Sequence, residues 1–230
     1  MTVSFLAVLP GVHELNGVWM EAGRTNTQRL KFGKNCKPPG LKEDSWNAIR
    51  ETRFEHTFMR PPALLTTIQT VNNEKGLPSN SRPWLTVAVQ RVNVDSTRVA
   101  LEMSETTPYG KVDQPERVGW IAIEQGIHTL LGSTGSATMV ALKSKRVVEG
   151  VGNGPTTLRL RTALSASPLV VVSQSTRRPS KTDDGGWARA IASSRRTVDV
   201  AIDEDTSCDR ERKHGTEQVS VAAFDRAGIF

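Results

Sequence analysis

Apolar and polar residues alternate with a period of two over several short stretches of this chain, a pattern typical of strands that bury one face. The stretch 85–94 (LTVAVQRVNV) shows it most plainly, and residues 99–103 continue it after the turn-like pair 95–96. Two apolar runs, 63–69 and 169–173, each follow a proline, as strand starts often do. Because such stretches recur about every ten residues without amphipathic helices between them, the pattern predicts an all-β fold of small antiparallel β-sandwiches.

The chain also contains an internal repeat. Residues 3–17 (VSFLAVLPGVHELNG) and 118–132 (VGWIAIEQGIHTLLG) are identical at six of fifteen positions, and 219–228 is a third, weaker copy. Three further segments recur in the same order: 54–70 with 160–176, 99–105 with 198–204, and 113–116 with 214–217.

Ordered recurrence of this kind predicts two tandem sandwich units, 17–126 and 127–230. Residues 1–16 are then expected to be the last strand of a preceding, truncated repeat, with a β-strand at 3–8. One segment, 187–198 (WARAIASSRRTV), has fair helix propensity, yet its counterpart 88–99 reads as strand, so we expect strand there too. The segment 136–148 is compatible with either structure.

Charge and composition narrow the function. The net charge is +6, but the basic residues are interleaved with acidic ones and no nucleic-acid motif accompanies them, so no specific nucleic-acid partner is expected. No apolar run is long enough for a membrane-spanning helix. Cys36 and Cys208 are too few for a disulfide framework or a zinc site. The glycine clusters 132–135 and 150–154 match neither phosphate-binding fingerprint, and no nucleophile elbow is present, so we expect no cofactor, no metal and no enzyme activity.

The order of motifs resembles the H-type lectin domain of snail agglutinins and of the C-terminal part of discoidins. The opening 18–23 (VWMEAG) is followed by a Phe-x-x-x-Phe strand at 54–58 that runs into Pro-Pro, then by an apolar strand ending in Gln-Thr and a last strand, WIAIE, at 120–124. The resemblance implies a six-stranded sandwich, often trimeric, that binds terminal galactose or N-acetylgalactosamine. The position of that family's sugar-contacting arginine is occupied here by Thr86, and by Gly185 in the second unit.

Sugar binding needs an aromatic face and planar polar groups that pair with hydroxyls. These requirements point to a loop that contains Tyr109 between Pro108 and Gly110. The predicted ligand-binding residues are Glu105, Tyr109, Lys111, Asp113 and His214.

Other residues near these are interpreted structurally. The acidic stretch 203–209 near His214 suits either a Ca²⁺ loop or a charged strand edge, and the edge is favoured. His13 and His128 occupy equivalent repeat positions, which favours a role in a turn.

The sequence therefore predicts a carbohydrate-binding adhesion module of an extracellular or cell-surface repeat protein, with glycans as partners and a possible homo-oligomer. The alternative is an array of structural spacer units with the same fold and no sugar site.

Overall fold

The computed structural model describes residues 4–32, 45–73, 85–103, 112–165, 168–177, 186–206, 210 and 212–229. Within these ranges the protein is all-β, with two short 3-10 turns and no α-helix. The strands are β1 Gly11–Leu15, β2 Val18–Thr27, β3 Leu30–Phe32, β4 Glu51–Arg53, β5 Ala63–Ile68, β6 Leu85–Val92, β7 Ser96–Met103, β8 Glu116–Ile123, β9 Gly126–Gly132, β10 Gly135–Lys143, β11 Thr156–Arg159, β12 Leu169–Gln174, β13 Gly186–Ser193, β14 Thr197–Glu204 and β15 Val219–Phe224.

The strands form four small sheets. Sheet I has the order β1-β2-β8-β5, and sheet III has the corresponding order β9-β10-β15-β12. Sheet II contains β7 with β6, β4 and β3 as its neighbours, and sheet IV has the order β11-β14-β13. Every pairing is antiparallel except that of β3 with β7. The two halves of the chain therefore repeat one strand order, with β3 present only in the first half of the described chain.

In each half a hydrophobic core lies between the two sheets. Sheet I contacts sheet II through a core that includes Phe54, Phe58 and Trp120. Sheet III contacts sheet IV through an aliphatic core to which β14 and β15 contribute most. Alternation along these strands supplies the buried side chains, because every second residue faces the partner sheet.

Sheets I and III also meet, so the central strands are buried on both faces. Met20, Ile123, Met139 and Phe224 pack together between them. The edge of β5 that has no strand beside it in sheet I is also closed, because the Leu64 and Thr66 amides donate to the hydroxyls of Ser220 and Ser173 at 2.9 Å. An edge strand that would otherwise present unpaired amides is thereby closed within the chain.

The structure differs from several of the expectations drawn from the sequence. Residues 4–9 form no strand, so the strand expected at 3–8 is wrong over its described part. No described strand pairs with this segment, and of its side chains Leu6 packs on the core between sheets I and III. The strand β1 pairs with β2 in sheet I rather than with a preceding repeat. The Phe-x-x-x-Phe segment follows β4 instead of forming a strand. The segment 187–198 lies in strands β13 and β14 except for the turn at 194–196, so the strand that the repeat predicted is confirmed over most of it.

Candidate functional site

The predicted ligand residues do not form one site in the described structure. Glu105, Tyr109 and Lys111 lie outside the described residues, so a site on that loop stays a prediction. Asp113 is exposed before β8, where its amide donates to the Asn73 side-chain oxygen at 2.9 Å. His214 is only 3% exposed, which places it inside the protein instead of on a ligand-facing surface.

His214 lies between two buried carboxylates. Its Nδ1 is 2.5 Å from Glu204 Oε1, and its Nε2 is 3.8 Å from Glu217 Oε1. Burial lowers the pKa of His214, but the two carboxylates outweigh it and raise the pKa to about 9. The imidazole is therefore cationic at neutral pH and serves as a buried counter-ion. Among the described residues, no group of three or more His, Cys, Asp or Glu could hold a metal ion.

A second buried ion pair joins the two halves of the chain. Arg177, after β12, donates through Nε to Glu102 on β7, and both side chains are almost fully buried. Burial raises the pKa of Glu102 against the opposing effect of Arg177. Because pairs of this kind lose much stability when one partner is removed, this contact fixes the first half of the chain against the second.

Equivalent threonine–glutamate pairs occur in both halves. Thr70 donates to Glu116 Oε2, and Thr176 donates to Glu217 Oε2. Each threonine hydroxyl also accepts a backbone amide, from Arg117 at 2.8 Å and from Gln218 at 2.9 Å. These contacts connect the segment after the strand that follows the proline to the last strand of the unit, and Thr70 also lines the cleft described below.

The two histidines at equivalent repeat positions, His13 and His128, make equivalent contacts. His13 Nε2 contacts the Leu9 carbonyl at 2.7 Å, and His128 Nε2 contacts the Glu124 carbonyl at 2.8 Å. Each ring closes the turn that leads into its strand, β1 or β9, which agrees with the turn role predicted for them.

A cleft lies between the two halves of the chain. It has a volume of about 420 Å³ and is lined by the ends of β5 and β12 and the starts of β6 and β13. We call it the inter-unit cleft. Both halves contribute equivalent positions of the repeat to its lining: Thr67 and Ser173, Ile68 and Gln174, Thr86 and Trp187. No charged residue lines it among the described residues.

Gln174 distinguishes this cleft from a simple packing gap. The residue is 5% exposed, and neither its Oε1 nor its Nε2 has a hydrogen-bond partner among the described residues. A buried primary amide left unpaired costs about 1–3 kcal/mol. The counterpart Ile68 in the first half carries no such cost, so packing at this position does not require an amide.

Scans against protein-family models, curated proteins and solved structures find no match for this chain. The inter-unit cleft is therefore assigned from its own chemistry. In the sequence comparison Thr86 occupies the position of the family's sugar-contacting arginine, a departure from the family's pattern, and in the structure Thr86 lines the cleft. Sequence reasoning missed Gln174 and interpreted Trp187 as a core or cover residue, because only the packing of the two halves brings them together.

Proposed function

We propose that the protein is a carbohydrate-binding module and that the inter-unit cleft holds an uncharged saccharide. The observation that carries the proposal is the amide of Gln174, which has no hydrogen-bond partner among the described residues and is buried in the wall of a cleft that hydroxyl groups line. A primary amide presents a donor and an acceptor side by side, which suits adjacent sugar hydroxyls. A volume of about 420 Å³ is in the range of small-molecule sites.

The remaining lining supports the same class of ligand. Thr66 and Thr86 bring hydroxyl groups, and the half-exposed Trp187 brings an aromatic surface of the kind that packs on the apolar face of a sugar ring. The absence of charged lining residues in the described structure disfavours anionic ligands. We propose the fold as tandem β-sandwiches similar to the H-type lectin domain, acting in adhesion at a cell surface or outside the cell.

The test begins with a glycan array, followed by calorimetric titration of each glycan that binds. Gln174→Leu removes the unpaired amide and keeps the side chain's bulk, so we expect the fold to be retained and affinity to fall at least about tenfold, or 1.4 kcal/mol. Trp187→Ala is expected to weaken binding similarly. Gln90→Leu is the matched control, because Gln90 lies on β6 away from the cleft and is expected to leave affinity unchanged.

Two results contradict this proposal. If Tyr109→Ala abolishes binding while Gln174→Leu and Trp187→Ala bind normally, the ligand occupies the predicted loop rather than the cleft. If no glycan binds at any concentration tested, the structural spacer is the better description of the protein.

A further inference from the structure

A second cavity lies in the first half of the chain, away from the inter-unit cleft. It runs between the end of β2 in sheet I and the segment 48–53, which includes β4 of sheet II, and has a volume of about 840 Å³. The strand β1 pairs with β2 only over residues 18–22, so the second half of β2 forms an open edge along this cavity. Thr25 and Thr52 bridge the two sheets at its floor, with their hydroxyls 3.1 Å apart.

Four arginines line this cavity, which we call the arginine groove. They are Arg24, Arg29, Arg50 and Arg53, all exposed, and Glu51 is the one acidic residue of the described lining. Glu51 pairs with Arg53 at 3.0 Å. Neither Arg24 nor Arg50 has an ion-pair partner among the described residues. The groove therefore has an excess of positive charge and two guanidinium groups available to an anion.

The residues that line the groove indicate which class of anionic ligand it can bind. Guanidinium groups match the geometry of sulfate, phosphate and carboxylate through paired N–H donors. Asn26 and Gln28 add amides that pair with hydroxyl groups. No aromatic residue lines the described groove, so bases of a single-stranded nucleic acid find no stacking surface. Of the apolar lining residues, Ile49 and Val99 are buried, and the exposed ones, Ala48 and Pro115, are small, so the described lining offers no large apolar side chain for insertion into a lipid surface.

We propose that the arginine groove binds the sulfate groups of an acidic polysaccharide. This site is separate from the inter-unit cleft, since the cleft lining is uncharged whereas the groove is basic. The proposal for the groove therefore does not depend on the proposal for the cleft. A chain with both sites holds a neutral saccharide between its two halves and a sulfated one at the far end of the first half.

The test is a titration of the full chain with a heparin-derived hexasaccharide, with its fully desulfated counterpart as the ligand control. The variant Arg24→Gln/Arg50→Gln is expected to bind the sulfated probe at least about tenfold more weakly, because two charge-assisted contacts are lost. The matched control is Arg159→Gln/Arg196→Gln, which removes the same charge from exposed positions in the second half of the chain. We expect the control variant to bind within about twofold of the unmodified chain.

Three outcomes overturn the proposal. Equal weakening by both variants means that net charge alone attracts the probe. Equal binding of sulfated and desulfated probes removes the role of sulfate. Tighter binding of a single-stranded oligonucleotide of matched charge, lost in Arg24→Gln/Arg50→Gln, reassigns the groove to nucleic acid. Variants of Gln174 and Trp187 are expected to leave binding of the sulfated probe unchanged, so failure of the cleft and failure of the groove are distinguishable.

Discussion

Trp120 offers the sharpest test of how the first half of the chain is packed. Its side chain is 6% exposed on β8, and its ring lies 5.4 Å from that of Phe54. It also lies directly over the backbone of Gly23, where a Cβ atom would come within 2.2 Å of the ring. Trp120 therefore fills the space between sheets I and II, and its indole nitrogen is buried without a hydrogen-bond partner among the described residues.

The magnitude follows from two opposing effects. Removing a large aromatic side chain from a core costs about 3–5 kcal/mol. Removing an unpaired buried N–H group recovers part of that, since such a group costs about 1–3 kcal/mol. We therefore expect Trp120→Ala to lower the free energy of unfolding by about 3 kcal/mol, at the lower end of the aromatic range. Trp120→Phe keeps most of the contact area and removes the N–H group, so its loss is expected to be well below that of alanine.

Urea unfolding followed by far-ultraviolet circular dichroism measures both variants. Trp187→Ala is the control, because Trp187 is half-exposed in the inter-unit cleft and its loss is expected to cost less than about 1 kcal/mol. If phenylalanine destabilises as much as alanine does, the indole nitrogen has a partner and the reasoning is refuted. If alanine leaves the midpoint unchanged, Trp120 is not a core residue.

Two further predictions concern buried polar groups. Thr176→Val is expected to destabilise by about 1–3 kcal/mol, and by more than Thr70→Val, because Thr176 is fully buried whereas Thr70 is only half-buried; urea midpoints of the two variants measure the difference. The pKa of His214 is raised to about 9 from about 6.5, so its contribution to stability is complete below pH 6.5 and is lost as pH rises through about 9. The urea midpoint should fall over this interval, and a His214→Gln variant with the same fall assigns the pH dependence to another group.

The sequence predicted the all-β class and the strands near 63–69, 85–94, 99–103 and 169–173, because apolar alternation depends on local burial. It also paired Thr70 with Thr176 correctly. The match of 99–105 with 198–204 is two residues out of register, since the structure aligns β7 with β14 so that Val99 corresponds to Val200. In both halves the residue immediately before the strand, Asp95 before β7 and Arg196 before β14, accepts the same backbone hydrogen bond, from the amide of Phe54 or of Leu160. A shift of two keeps every side chain on the same face, so alternation alone does not detect it.

The site residues were harder to predict for a different reason. His214 reads as a polar residue in an acidic loop, and only the packing of residues 204 and 217 around it shows that it is a buried cation. Gln174 follows five apolar or small residues of β12, and its sequence position is that of a strand end. Its burial depends on the first half of the chain closing over it, which is a long-range contact that local pattern does not encode.

The two halves of the chain differ most informatively where they meet. At positions that face a core, the equivalent residues of the two halves are both apolar. Leu64 corresponds to Val170, and Val118 corresponds to Val219. Ile68 and Gln174 break this rule, although both lie opposite an equivalent valine in register. The stability of the fold explains Ile68, because its side chain packs on the core of the first half. It does not explain Gln174, because the amide has no partner among the described residues and its burial costs about 1–3 kcal/mol. A destabilising amide at one cleft position is more readily explained by a ligand that pairs with it than by packing. The variant Gln174→Leu separates the two explanations. A gain in stability with a loss of glycan affinity supports the ligand, whereas a loss of stability means that the amide stabilises the fold.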